Sequence, residues 1–132
     1  MIVVDVNVLI YLLLQGEHAA ACEELYQQDP EWAAPILWEP EFLNVMATYE
    51  RNGMLSRDQA MIAYNDAQLL LGTRIYPVEA ADVLETAKQT GCSGYDAHYL
   101  ALANRLGYVL YTFDKRLLQV AGNSARRPKQ KE

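Results

Sequence analysis

The chain has 132 residues, of which 52% are hydrophobic and 21% are charged, and its formal net charge at pH 7 is -6. This length and apolar content predict one compact domain with its own core and leave no room for a second. The negative charge excludes nucleic-acid binding through bulk electrostatics, because contact with phosphates depends on clustered Lys and Arg.

The first half of the chain predicts two strands and four helices. Ile2 to Val4 is a β-branched run typical of a buried strand. The elements expected after it are helices over 7–14 and 17–28, a strand over 33–36, a helix from Pro40 to near Gly53, and a helix that a capping box of Ser56 and Gln59 opens and Gly72 ends.

The second half continues the same alternation. Strands are predicted over 74–78 and 108–112, and helices over 79–90, from Ser93 to Gly107, and after Asp114. Strands separated by helices indicate an α/β domain with a mainly parallel sheet, because parallel neighbours need a crossover connection that is usually helical.

We place the domain boundary at Gly122. Residues 1–122 are expected to form the domain, and residues 123–132 a polar, disordered tail. The basic residues of this tail are therefore expected to lie in solvent; they are Arg126, Arg127, Lys129 and Lys131.

The cysteines and the hydropathy of the chain indicate the cellular compartment. Cys22 and Cys92 lie far apart and match no metal-ligand spacing, so they do not support a disulfide framework or a zinc site. No segment approaches the ~20 apolar residues of a membrane helix, and residues 1–5 are not typical of a secretory leader. We expect a soluble, cytoplasmic protein with no membrane partner.

Acidic side chains follow two of the predicted strands. Asp5 comes directly after the first strand, and Asp114 follows 108–112. Ligands of parallel sheets bind outside the carboxyl ends of the strands, so these acids would face one crevice if their strands are neighbours. Asp5 and Asp114 also have a structural interpretation, because Asp commonly caps helices. The same holds for Glu41 and Asp96, which fall in first helical turns, where negative charge is favoured.

Four acidic motifs in order are more specific than any one of them. They are Asp5-Val6-Asn7, Glu41 before Asn44-Val45-Met46, Tyr95-Asp96-Ala97, and Thr112-Phe113-Asp114. From Ile2 to about Leu118 the chain resembles the PIN-domain family, and most closely its VapC toxin branch.

The resemblance implies an α/β domain with a PIN-like parallel β-sheet of four to five strands flanked by helices. It implies an endoribonuclease that uses Mg²⁺ or Mn²⁺ to hydrolyse RNA phosphodiester bonds as the toxin of a toxin-antitoxin pair. The partners it implies are an RNA substrate, a cognate VapB-type antitoxin and a second copy of the chain. The catalytic residues that match the family's motifs are Asp5, Glu41, Asp96, Asp114 and Thr112.

Electrostatics agrees with a metal among these acids. Two carboxylates ~4 Å apart repel by roughly 4 kcal/mol at an effective dielectric near 20, and a hard divalent cation removes that repulsion. We expect Asp5 and Asp96 to be the most direct ligands, with Glu41 and Asp114 binding directly or through water. Thr112 is expected to steady Asp114 or a water, or to be simply a β-branched strand residue.

Nearby residues are secondary candidates. Asn7 is expected to brace Asp5. Lys115 and Arg116 either contact phosphates or are cations on an exposed helix. His98 is a candidate acid or base, although relatives commonly carry an apolar residue there. The family also commonly adds one more strand after Leu117, which we expect to be missing or very short here.

Two other function classes fit the pattern less well. A catalytically silent PIN-like module would bind RNA or a protein without cutting, yet all four acids are present. Phosphoryl transfer through an aspartyl nucleophile also uses an acid after the first strand. Phosphatases of that kind carry a second Asp where this chain has Asn7.

Overall fold

The computed structural model describes residues 1–130, and its centre is a five-stranded parallel sheet with the strand order β3-β2-β1-β4-β5. The strands are β1 (Ile2–Val4), β2 (Trp32–Pro35), β3 (Ile75–Tyr76), β4 (Leu110–Tyr111) and β5 (Ala125–Arg126). Because β1 is the central strand, Asp5, which follows Val4, lies in the middle of the carboxyl edge of the sheet. The predicted α/β fold and parallel sheet are confirmed.

Seven helices within residues 1–130 cover the sheet. They are α1 (Val6–Leu13), α2 (Ala19–Gln28), α3 (Trp38–Arg51), α4 (Arg57–Leu71), α5 (Ala80–Thr90), α6 (Gly94–Leu106) and α7 (Lys115–Ala121). None of these helices has the length and apolar character needed to cross a membrane.

Alternation along β1 divides the core between the two faces of the sheet. Ile2 and Val4 pack into one cluster with α1, α3 and α4, whereas Val3 packs into another with α6 and α7. Successive side chains of a strand point to opposite faces, so a strand covered on both sides must be apolar throughout. Full burial of each such side chain contributes roughly 1.5–3 kcal/mol.

Helix ends follow the signals in the sequence. The Ser56 hydroxyl accepts from the Gln59 N–H at 3.1 Å, and the Gln59 side chain accepts from the Ser56 N–H at 2.8 Å, which is the predicted capping box at α4. Gly91 and Gly107 end α5 and α6 in the left-handed region, with φ of 73° and 76°.

The boundary predicted at Gly122 is corrected by β5. Ala125 is buried and pairs with Leu110, and the Thr112 N–H donates to the Arg126 carbonyl at 3.0 Å. The edge strand is therefore present and very short, and residues 123–126 belong to the domain rather than to a tail. A strand of two residues with one buried side chain is too short to show alternation in the sequence.

The predicted disordered tail is also wrong immediately beyond β5. Arg127 lies against the Phe113 ring and Pro128 is buried. Lys131 and Glu132, the last residues of the predicted tail, lie outside the described residues.

Candidate active site

Asp5 lies where β1 passes into α1. One carboxylate oxygen accepts from the N–H groups of Asn7 at 2.9 Å and Val8 at 3.2 Å, so Asp5 caps α1. The other accepts from the Thr112 hydroxyl. Burial raises the pKa of the Asp5 carboxyl to about 6, against the lowering effect of these hydrogen bonds. Asn7 therefore braces Asp5 through its backbone N–H, in a cap.

Thr112 connects the ends of two neighbouring strands. Apart from aromatic residues, it is the one side chain with a hydroxyl, amide or charged group that is buried among residues 1–130. Its oxygen donates to Asp5 and accepts from the Asp114 N–H at 3.1 Å. It therefore holds the β1 end and the β4 end in one arrangement. Asp114 is exposed and caps α7 by accepting from the Leu117 N–H at 2.9 Å.

Glu41 is held by a residue far away in the sequence. It lies in the first turn of α3 and accepts a hydrogen bond of 2.6 Å from the hydroxyl of Tyr99 on α6. Burial raises the pKa of Glu41, and the bond from Tyr99 acts in the opposite direction. Burial and the neighbouring Glu41 carboxylate raise the pKa of Tyr99, so it stays a donor. Sequence reasoning did not assign Tyr99 this bond to Glu41, because an aromatic residue on the apolar face of a helix is most often a packing or interface residue.

Asp96 is the acid that couples electrostatically to the other three. It lies in the first turn of α6, where its N–H donates to the Ser93 hydroxyl at 3.0 Å. Burial raises its pKa, and repulsion from Asp114 adds to this effect. The charge of Asp96 in turn raises the pKa of Asp5 and of Glu41. Asp96 is therefore near enough for its charge to interact with each of the other three acids, although the four come from segments that are far apart in the chain.

The donor set fits a hard divalent cation. All four groups offer oxygen, and within residues 1–130 none forms an ion pair with Lys, Arg or His that would offset their repulsion. In that same part of the chain no three acidic, His or Cys side chains stand close enough to form a ready-made metal cluster. Mg²⁺ keeps several waters and takes only one or two carboxylates directly, so carboxylates that do not form a tight cluster are compatible with it.

The secondary candidates lie around the acids in different ways. The Nδ1 of His98 on α6 donates a hydrogen bond of 2.6 Å to the Gly94 carbonyl. Attraction to His98 lowers the pKa of Glu41. Lys115 and Arg116 are exposed on α7. Arg116 points to the Gly91 carbonyl at 3.4 Å, at the end of α5.

A five-stranded parallel sheet with acids gathered at the carboxyl edge defines the class of this protein. The chain belongs to the PIN domain family, whose model matches residues 2–123.

Individual relatives extend over nearly the same length. The chain is 27% identical over 121 residues to Ribonuclease VapC3 of Pyrobaculum aerophilum, covering 89% of this chain and 92% of that protein. A crystal structure from the same organism has a TM-score of 0.74 at 23% identity and covers 93% of this chain and 81% of its own. A toxin-antitoxin complex from Klebsiella pneumoniae has a TM-score of 0.66 at 17% identity, with 98% and 99% covered. These two structures show the shared fold.

Proposed function

We propose that this chain is a metal-dependent endoribonuclease that hydrolyses RNA phosphodiester bonds and uses Mg²⁺ or Mn²⁺. The observation that carries the proposal is the placement of Asp5, Glu41, Asp96 and Asp114 at the starts of four helices, with Asp5 and Asp114 joined through the buried Thr112 hydroxyl. Family membership and the ribonuclease relative support the same activity.

The metal, when bound, would stabilise charge on the phosphodiester and activate a water. Asp5 and Asp96 are the residues we assign as its most direct ligands, and Glu41 and Asp114 complete the site directly or through water. Because the carboxylates would otherwise repel RNA, a cation held by them would also reverse the local field where a phosphate binds. This reversal would let a protein of net charge -6 act on a polyanion.

Two hydrogen bonds give the acids their orientation. Thr112 donates to Asp5, and Tyr99 donates to Glu41, each from a buried position. Orientation by buried groups lowers the reorganisation needed when the substrate arrives. Thr112 and Tyr99 are therefore positioning residues in this proposal.

Cleavage of a structured RNA in Mg²⁺ or Mn²⁺ tests the assignment. We expect Asp5→Asn and Asp96→Asn to lose at least a hundredfold in rate, because each removes a metal ligand. Asp66→Asn, an exposed acid on α4, is the matched control and should cut like the wild type. If both site variants cut as fast as the wild type, the assignment is wrong.

We further propose that the chain is the toxin of a VapBC-type pair, acts in the cytoplasm as a homodimer, and is inhibited by a cognate antitoxin. The support is the VapC-type relative and the toxin-antitoxin complex of similar fold. Expression of the wild type should arrest growth, and Asp96→Asn should not. Co-expression with the product of an adjacent short reading frame should restore growth; arrest that persists in Asp96→Asn would contradict a toxin acting through this site.

A further inference from the structure

The charges of the chain are distributed unevenly. Residues 1–114 contain sixteen acidic and five basic side chains, whereas residues 115–130 contain five basic and no acidic side chains. Within residues 1–130 none of these five cations forms an ion pair. A concentration of unpaired cations on an acidic protein favours a local contact with a polyanion.

Three of these cations line one groove. A groove of about 510 Å³ is lined by Arg126, Arg127 and Lys129, together with Tyr111 and Ala125. No acidic side chain is among the described residues that line it. The groove therefore presents positive charge to any ligand that enters it.

The groove residues are joined to two of the acids through Thr112 and Phe113. The Arg126 carbonyl accepts the Thr112 N–H at 3.0 Å, and Thr112 in turn donates to Asp5. The Arg127 guanidinium lies 4.8 Å from the centre of the Phe113 ring, and Phe113 stands between Thr112 and Asp114 in the chain. A backbone hydrogen bond and a ring contact thus connect the cations to the two acids at the β1 and β4 ends.

Phe113 also limits the freedom of Arg127. The ring is itself held by His18, stacked at 4.4 Å, and by Tyr11, edge-on at 5.4 Å. One terminal nitrogen of Arg127 donates to the Phe113 carbonyl at 3.4 Å, and a guanidinium on an aromatic face keeps its remaining N–H groups available to bind phosphate oxygens. The rigid ring therefore pre-organises Arg127 beside the acids.

We propose that this groove binds the backbone phosphates of the RNA whose neighbouring phosphodiester lies at the acids, an inference that rests on the proposed ribonuclease function. Arg126, Arg127 and Lys129 each contact a phosphate, which fixes the strand without reading its bases. These three residues were expected from the sequence to lie in a solvated tail. In this proposal they contact the substrate.

Binding of a fluorescent single-stranded RNA, followed by anisotropy at several salt concentrations, tests the groove. All proteins carry Asp96→Asn so that the RNA stays intact. The test variant is Arg126→Gln, Arg127→Gln, Lys129→Gln, and the control removes the same charge elsewhere with Arg51→Gln, Lys88→Gln, Arg105→Gln. Loss of three phosphate contacts should weaken binding at least tenfold at about 100 mM salt and reduce the salt slope by about 2, relative to the control.

Cleavage kinetics of the same variants made without the Asp96→Asn change, so that Asp96 is retained, give a second readout. The triple groove variant should raise KM for a long RNA at least tenfold and raise it more than it lowers kcat. If it fails to fold by circular dichroism, Lys129→Gln alone replaces it. Lys129 is exposed, and its loss should weaken binding about threefold and reduce the slope by about 0.7.

The two proposals fail in different ways. If the wild type cuts RNA but the groove and control variants bind it with equal affinity and equal salt slope, the groove proposal is overturned and the ribonuclease function stands. If no divalent ion supports cleavage by the wild type, the ribonuclease function fails, whatever the binding result.

Discussion

The hydroxyl of Thr112 donates a hydrogen bond to the carboxylate of Asp5, a residue 107 positions earlier in the chain. The two residues meet because β1 and β4 are parallel neighbours, so that their carboxyl ends lie side by side. The same Thr112 oxygen accepts the Asp114 N–H. One buried hydroxyl therefore sets the relation between the first and the last acid of the site.

Thr112→Val tests that relation. The side chain keeps its branched shape but leaves an oxygen of Asp5 and the N–H of Asp114 without their partner. We expect the free energy of unfolding in urea to fall by about 1–3 kcal/mol and RNA cleavage to fall at least tenfold. Thr112→Ser retains the hydroxyl and should keep most of both. Equal stability and rate in the Val variant would show that the hydroxyl has no positioning role.

Tyr99→Phe should change the pH dependence of cleavage. The Tyr99 hydroxyl lowers the pKa of Glu41 against the raising effect of burial. Without it the pKa of Glu41 rises further, so the acidic limb of the pH-rate profile should move to higher pH. Tyr108→Phe, at an exposed position before β4, is the control. An unmoved acidic limb in Tyr99→Phe would exclude Glu41 from the ionisations that limit cleavage.

Asp5 should make the metal-free protein less stable at neutral pH. Its folded pKa of about 6 lies above its ordinary value of 3.8, so the folded state holds the proton more tightly than the unfolded chain. This contribution to stability is fully present below about pH 3.8 and is lost as the pH rises through about 6.

Asp5→Asn removes that loss. In EDTA at pH 7.5 the variant should unfold with a free energy roughly 1–3 kcal/mol higher than the wild type, and this advantage should shrink towards pH 4. Asp66→Asn is the matched control. An Asp5→Asn advantage that is absent at pH 7.5, or that is equal at both pH values, would contradict the raised pKa.

Truncation should show where the domain ends. A chain that stops at Gly122 loses the pairing of β5 with β4 and leaves the Thr112 N–H without the Arg126 carbonyl. We expect it to be destabilised by about 2 kcal/mol or more, because a ladder and a buried side chain are lost together. A chain that stops at Gln130 is the control. Equal thermal stability of the two would restore the boundary predicted from the sequence.

Much of the fold could be predicted because the ends of its helices and strands follow from the residues next to them in the sequence. The β-branched run before Asp5, the capping box at Ser56 and the left-handed Gly91 each mark an element end through short-range sterics or hydrogen bonding. The four acids could be proposed as a site from the sequence because each motif keeps its local neighbours.

What the sequence concealed depends on long-range packing. Nothing local indicates that Tyr99 bonds to Glu41, 58 positions away, or that Arg127 rests on Phe113. β5 was hidden because Ala125 is its one buried side chain, flanked by polar residues that are typical of a tail. In each case the partner is fixed by the order of the strands, which no local pattern specifies.

Manganese binding measured at pH 7.5 by paramagnetic resonance reports on a metal site at these acids without RNA or turnover. The wild type should bind Mn²⁺ at a saturable site, Asp96→Asn should bind at least tenfold more weakly, and Asp66→Asn should match the wild type. A wild type that binds no Mn²⁺, or three proteins that bind it equally, would contradict a cation site built on these carboxylates.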